Sequence, residues 1–370
     1  MLVKVASRCN INCSYCYVYN MGDDGWKQMP KVMQPETISA FSNALSTLSK
    51  DQPQEFTTVL HGGEPLMIGA SRLEFLLSSL REQLSADYKI CMQTNGMLIS
   101  DSILDICDNY RTSISVSLDG PKPINDRFRI DHKGESTFSK VIAGISKLRN
   151  HRSSDFLFSG ILSVIDPLSD AKEVYHFLKN LGAPSLDFLY RDGNHSSYPF
   201  GKASFETTEY GTWLSQLLDA YLADSDPVRI RLLDDLMRLS LGGVGIKEGI
   251  GITDFGIAIV DTDGSISKND TLKSTTNGAD RFEENWSVHS HRLSDIFKTT
   301  EFDNYHLIQR PSSSTCKSCP ELSVCGGGMP LHRWSSEGLF DNPSVYCNDQ
   351  KAVIKHVRYH LVQQGLALAA

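Results

Sequence analysis

The sequence predicts an α/β fold, a partial parallel barrel of six βα units followed by a small cysteine-rich domain. Three observations predict it. Up to residue 189, short β-branched apolar runs alternate six times with stretches whose apolar residues recur every three to four positions. At 370 residues and 40% apolar content the chain exceeds what one compact domain usually holds. Beyond residue 241 the alternation stops and cysteines gather, as in a small domain clipped together by metal.

The first run, LVKVA at 2–6, reads as a buried strand that delivers residues 7–17 as a loop at its C-terminal end. Parallel α/β sheets do their chemistry at that edge. Residues 18–34 are polar and turn-rich, with Gly22, Gly25 and Pro30, and a connection of that length suits a lid or binding loop. Pro35 opens a helix through Ile38, Phe41, Leu45 and Leu48. Strands are expected at 56–60, 88–92, 113–118, 156–165 and 186–189, with helices around Leu73 to Leu80, Ile103 to Ile106, 137–148 and 174–181. The second, third and fourth strands end in the polar strings HGGEP, QTNG and DGP. Two helical patterns fill 207–241 and stop at Gly242-Gly243. Residues 245–270, rich in glycine and β-branched residues, read as a hairpin around Asp263-Gly264. The expected boundaries are 1–206 for the barrel, 207–244 for a helical linker and 245–370 for the small domain.

Charge and cysteine use narrow the function classes. The net charge of −8, without a Lys/Arg run interleaved with aromatics, excludes a nucleic-acid footprint. No stretch approaches the roughly 18 apolar residues of a membrane span, and the apolar start is too short for an export signal, so a cytoplasmic protein is expected. Nine cysteines form an odd set, and without an export signal clustered thiols point to metal rather than disulfides. Cys91 and Cys107 lie in an apolar strand and a helix and read as small buried hydrophobes.

The remaining seven fall into two groups. Cys9, Cys13 and Cys16, in RCNINCSYCYVY, place three thiols in one short loop with no fourth nearby. Three thiolates hold three irons of a cubane and leave one iron open, whereas structural zinc takes four ligands. Cys316, Cys319, Cys325 and Cys347 supply four thiolates, enough for a fully ligated cluster or for a zinc ribbon.

The N-terminal spacing, with Tyr15 just before the third cysteine, resembles the radical S-adenosylmethionine (SAM) superfamily, in which SAM chelates the open iron through its amino and carboxylate groups. The resemblance implies that Gly62, Gly63 and Glu64 bind the SAM amino group. It implies that Ser117, Asp119 and Arg129 contact carboxylate and ribose. Asn125 stands where many relatives carry His, and the carry-over falls on Arg129 rather than Arg127. Gln93 and Asn95 either face this site or cap their strand. The C-terminal cysteines resemble the second cluster of the SPASM domain, found in peptide-modifying radical SAM enzymes. The first auxiliary cluster's cysteines are missing, because 242–315 contains none and Met329 occupies the last position. One auxiliary [4Fe-4S] cluster is therefore implied beside the SAM-binding one.

Asp270, one residue past Asn269, matches the general base of anaerobic sulfatase-maturing enzymes by the same kind of resemblance. VASRCNINCSYCYVYN, with Trp26 and Pro30, and DFLYRDGNHS at 187–196 resemble maturases that form cyclophane crosslinks in ribosomally made peptides. Such an enzyme would take a precursor peptide and a one-electron donor such as flavodoxin or ferredoxin. A sulfatase-type maturase, a peptide epimerase, a thioether-forming maturase and a zinc-bound scaffold stand as alternatives.

Overall fold

A computed structural model describes residues 1–52, 54–253 and 255–368. Its strands are β1 (Leu2–Ala6), β2 (Ile11–Cys13), β3 (Thr58–Gly62), β4 (Ile90–Thr94), β5 (Thr112–Ser117), β6 (Arg129–Asp131), β7 (Phe158–Val164), β8 (Ser185–Leu189), β9 (Arg229–Ile230), β10 (Ile259–Val260) and β11 (Ile266–Ser267). The chain folds into two compact units. The first holds 1–118, 125–160 and 257–304, and the second 119–124, 161–256 and 305–370.

In the first unit β1, β3, β4 and β5 run parallel as neighbours, with Val3 across from Leu60, Val59 from Cys91 and Met92 from Ile114. The helices that return between them bury one face. Pro35–Asp51 buries Ile38, Phe41, Leu45 and Leu48, and Ala70–Gln83 buries Leu73, Leu76, Leu77 and Leu80. Ser100 caps the helix Asp101–Asn109 by accepting from Ile103 N–H. On its other edge β1 pairs in parallel with β10, which turns back through the expected Asp263-Gly264 hairpin into β11. Residues 257–304 therefore belong with the first strands, across the sequential boundary drawn at 245. The β1 edge offers a ladder of backbone groups that a buried strand must satisfy, and β10 supplies it.

The second unit carries most of β7 with β8 and β9 in parallel register, Leu162 across from Asp187 and Leu186 from Ile230. Asp170 caps the helix Ala171–Asn180, accepting from Lys172 and Glu173 N–H. The helices Glu209–Ala223 and Arg231–Ser240 follow, and Cys347–Gln363 closes the unit. Inside it Lys202 Nζ meets Asp349 Oδ2 at 2.7 Å, and Asp349 also accepts from Gly211 N–H at 2.9 Å, so the buried ion pair is hydrogen-bonded as well. Among the described residues no helix is long and apolar enough to cross a membrane.

Candidate functional site

The cysteine loop begins where β1 ends. Ser7 N–H and Oγ are tied to the carbonyls of Lys31 and Pro30, at 3.1 and 2.6 Å. Cys13 closes β2, whose antiparallel partner β6 places Arg129 directly opposite. Cys16 N–H returns to the Cys13 carbonyl at 3.0 Å, and Asn20 Nδ2 donates to the same oxygen at 2.8 Å. Burial pushes the Cys9 thiol up to about 12, with Glu64 and the thiols of Cys13 and Cys16 adding to it. Sulfurs held close enough to oppose one another's ionisation lose their protons when iron binds. This donor set fits a cluster bound through three thiolates.

The neighbouring strand ends brace this loop. Asn95 Nδ2 donates to Asn10 Oδ1 at 2.7 Å and lies 3.8 Å from Cys9 Sγ, while its Oδ1 accepts from Met97 N–H. Glu64 is buried and its carboxylate is well supplied with donors: Leu66 N–H at 3.0 Å, Thr94 Oγ1 at 2.6 Å and Asn95 N–H at 2.7 Å. Burial nevertheless holds its pKa above the usual range. The glycines serve close backbone packing. A Cβ at Gly62 would stand 2.1 Å from the Ala6 carbonyl oxygen, and one at Gly63 2.4 Å from that of Arg8. Gly63 and Glu64 N–H donate to those same carbonyls at 2.8 and 3.0 Å, locking β3 to the start of the cysteine loop.

Gln93 Nε2 donates to Ser117 Oγ at 2.8 Å, so two of the expected contact residues meet. Arg129 is buried with Nη1 2.8 Å from Tyr15 Oη, whereas Arg127 is exposed. Asp119 belongs to the second unit, where its Oδ1 accepts from Val164 N–H at 3.0 Å. The string 187–196 is largely absorbed by packing in that unit. Tyr190 packs at tilted and edge-on angles among Tyr210, His332 and Tyr346, Asp187 pairs with Lys247 at 2.7 Å, and Asn194 Oδ1 closes a turn on Ser196 and Ser197.

Asp270 is fully buried in a charged network that the sequence reading did not anticipate. Lys4 Nζ lies 3.0 Å from its Oδ2 and 3.2 Å from Asp261 Oδ2, and Tyr17 Oη donates to Asp270 Oδ1 at 3.2 Å. Burial opposes the Lys4 charge, but the two carboxylates outweigh it and hold the ammonium well above the ordinary lysine range. Burial likewise opposes the Asp270 charge, and here Lys4 and His61 prevail, leaving its pKa below the usual carboxylate value. Nearby Lys273 bridges Asp23 and Asp280 at 3.2 and 3.0 Å. A cavity of about 270 Å³ adjoins the network, reaching Gly62 and Gly63 and walled by Trp26, Phe282 and Trp286. The signal for Lys4 was present in LVKVA, one charge inside an otherwise apolar strand.

Residues 3–178 match the sequence profile of the radical SAM superfamily. These residues are a radical SAM domain. Over 98% of its length the chain is similar to a cysteine-type anaerobic sulfatase-maturating enzyme of Clostridium perfringens strain 13, 23% identical and covered to 97%. A serine-type enzyme of Bacteroides thetaiotaomicron is 25% identical over 90% of this chain and 83% of the relative. In fold the chain is similar to native anSMEcpe with bound AdoMet, with a TM-score of 0.83, 22% identity and 98% of both chains covered. Streptococcus suis SuiB bound to precursor peptide SuiA shares the fold at a TM-score of 0.58 and 14% identity, covering 89% of this chain and 71% of that one.

Enzymes of this superfamily use SAM and a [4Fe-4S] cluster, and Cys9, Cys13 and Cys16 lie inside the matched residues as a three-thiol set that fits such a cluster. A second thiol group lies in the other unit. Cys316 ends the first turn of a short helix capped by Ser313, Cys325 closes Leu322–Cys325, and Cys347 opens Cys347–Gln363. Burial pushes Cys325 up to about 12, with Cys347, Cys316 and Cys319 adding to it. Arg333 is buried where Cys316 and Cys325 feel its charge, and no sequence signal marked it.

Proposed function

We propose that this radical SAM enzyme modifies a ribosomally made precursor peptide by joining a side-chain Cβ to an aromatic side chain. The observation that carries this reading is the cavity beside Gly62 and Gly63. Its volume of about 270 Å³ exceeds the roughly 150 Å³ that admits benzene, and its walls combine aromatic rings with Lys4, Asp261 and Asp280. An aromatic side chain of a peptide would find there both ring contacts and polar groups for the backbone that carries it.

Cys9, Cys13 and Cys16 would hold the cluster and its SAM, which when bound would supply the means to remove a hydrogen atom from a substrate carbon. Around it Arg129 offers a cation for the ligand carboxylate, and Asn95 steadies Cys9. Forming the carbon–carbon bond removes a second hydrogen, as a proton and an electron. Asp270 is the proposed proton acceptor. Lys4 and Tyr17 keep it ionised and aimed, and its low basicity suits a proton already made acidic in the crosslinked radical. Cys316, Cys319, Cys325 and Cys347 would hold a fully ligated auxiliary cluster able to take the electron.

A second reading, oxidation of a Ser or Cys side chain to an aldehyde, is favoured by the similarity to sulfatase-maturating enzymes over nearly the whole chain. Co-expression with a peptide encoded beside the gene separates the two. A crosslink removes two hydrogens, suppresses fragmentation between the joined residues and does not react with a hydrazide. A hydrazide-reactive product with complete fragmentation between those residues overturns the crosslinking proposal.

A further inference from the structure

The helices Glu209–Ala223 and Cys347–Gln363 belong to the same unit and bury Leu214, Leu217 and Leu218 on one, Val353, Val357 and Leu361 on the other. His356 and His360 stand one turn apart on the second helix and so share a face. Both turn toward Asp219 of the first. His356 Nε2 is 2.7 Å from Asp219 Oδ1, His360 Nε2 is 3.1 Å from the same oxygen, and the two Nε2 atoms are 3.3 Å apart. The rings meet edge on, with an interplanar angle of 83°. All three side chains are partly open to solvent, 30%, 29% and 44% exposed for His356, His360 and Asp219, so a small ion can reach them.

Hydrogen bonding alone uses this arrangement poorly. Two N–H groups aimed at one carboxylate oxygen from nitrogens 3.3 Å apart bring their protons together, two bare nitrogens would oppose lone pairs, and with one of each the bare nitrogen still faces the carboxylate oxygen. A cation between the three atoms removes the conflict in every case. Zinc bonds to imidazole nitrogen and carboxylate oxygen at about 2.0–2.2 Å, so neighbouring ligands of a tetrahedral centre stand about 3.3 Å apart. The edges of the observed triangle are 2.7, 3.1 and 3.3 Å.

We propose that Asp219, His356 and His360 form a binding site for a divalent transition-metal ion, zinc or a first-row neighbour, with water completing the coordination. Two imidazoles and one carboxylate, with no thiolate, select zinc, nickel or copper over calcium and magnesium. The bound ion would clip the C-terminal helix to Glu209–Ala223. Because Cys347 opens that helix, the clip would also stiffen one ligand position of the four-thiol group.

The test uses untagged, cluster-loaded protein under anaerobic conditions, so that neither an oligohistidine tag nor vacant thiols take up the probe. Zinc chloride is titrated and followed by equilibrium dialysis and by Tm, and cobalt(II) reports the ligand geometry through its visible absorption. The wild type is expected to bind about one equivalent with a rise in Tm. H356A/H360A should lose this, and D219N, which removes a charged ligand, should bind at least roughly tenfold more weakly, no less than loss of a ligand's supporting partner costs. Unchanged iron content and metal-free Tm in both variants show that they fold. Uptake that H356A/H360A retains in full, or no uptake by the wild type, overturns the proposal.

Discussion

Arg129 faces Cys13 across the ladder of β2 and β6, and its Nη1 stands 2.8 Å from Tyr15 Oη. A buried guanidinium held beside the cysteine loop suits a ligand carboxylate, the role proposed for Arg129. R129A is expected to weaken SAM binding to cluster-loaded protein by roughly tenfold or more, as loss of a charge-assisted hydrogen bond of about 1.5–3 kcal/mol requires. R129K should recover part of it, and R127A, at an exposed position, should leave it unchanged. Equilibrium dialysis with labelled SAM measures all three. Wild-type affinity in R129A would remove this residue from the SAM site.

Glu64 joins two strand ends, that of β3 through Leu66 and that of β4 through Thr94 and Asn95. E64Q keeps the shape but turns one acceptor into a donor facing a buried N–H, that of Asn95 or that of Leu66. The expected cost is about 2–4 kcal/mol, since a buried donor left unsatisfied carries its full desolvation penalty. Urea unfolding of the metal-free protein measures it. The larger effect should fall on stability even before SAM is added, because these bonds hold the loop that the cysteines occupy. A stability equal to wild type, with only SAM affinity reduced, would instead make Glu64 a ligand contact and not a brace.

The strands and their helices were legible because burial on one helix face and on parallel strands leaves a periodic apolar trace, as in Ile38, Phe41, Leu45 and Leu48. The cysteine groups were legible because sulfur spacing within one loop is a local property. The strand edges moved by about two residues where polar strings continue the ladder, so that His61 and Gly62 belong to β3 and Gln93 and Thr94 to β4. What sequence could not supply was the pairing of distant charges. Lys4 meets Asp261 and Asp270 only because β10 lies against β1, and Asp219 meets His356 only because two helices far apart in the chain pack together. The glycines of GGE showed the same limit. Their close approach is to Ala6 and Arg8, a contact invisible in a five-residue motif.

Lys4 and Asp270 are a buried pair, so breaking it from either side should be costly. K4M leaves two carboxylates without their cation and is expected to cost about 3–5 kcal/mol at neutral pH. The pH dependence has a definite sign. The depressed pKa of Asp270 contributes stability that is present above its unfolded value of about 3.9 and is lost as pH falls through the folded value. In K4M that depression is gone, so the gap in unfolding free energy between wild type and K4M should narrow as pH falls below about 4. Urea midpoints across pH 3 to 8 measure it, and a gap independent of pH would assign the cost to packing. D270N should leave SAM cleavage intact while product formation falls.

Cys325 tests the second thiol group separately from the first. Its thiol feels Cys316, Cys319 and Cys347, so removing it would take away one corner of the proposed four-thiolate set. Two cubane clusters correspond to about eight irons per chain, four in each. C325A is expected to drop toward four irons and matching sulfide while the Cys9 loop keeps its cluster. Reductive SAM cleavage to deoxyadenosine should then persist, and peptide product should fall, because the bond-forming step still has to release an electron. C9A/C13A/C16A should show the opposite pattern, with iron retained at the second group and no deoxyadenosine formed. Zinc without sulfide in C9A/C13A/C16A would make the second group a structural clip, and product formation would then need another route for the electron.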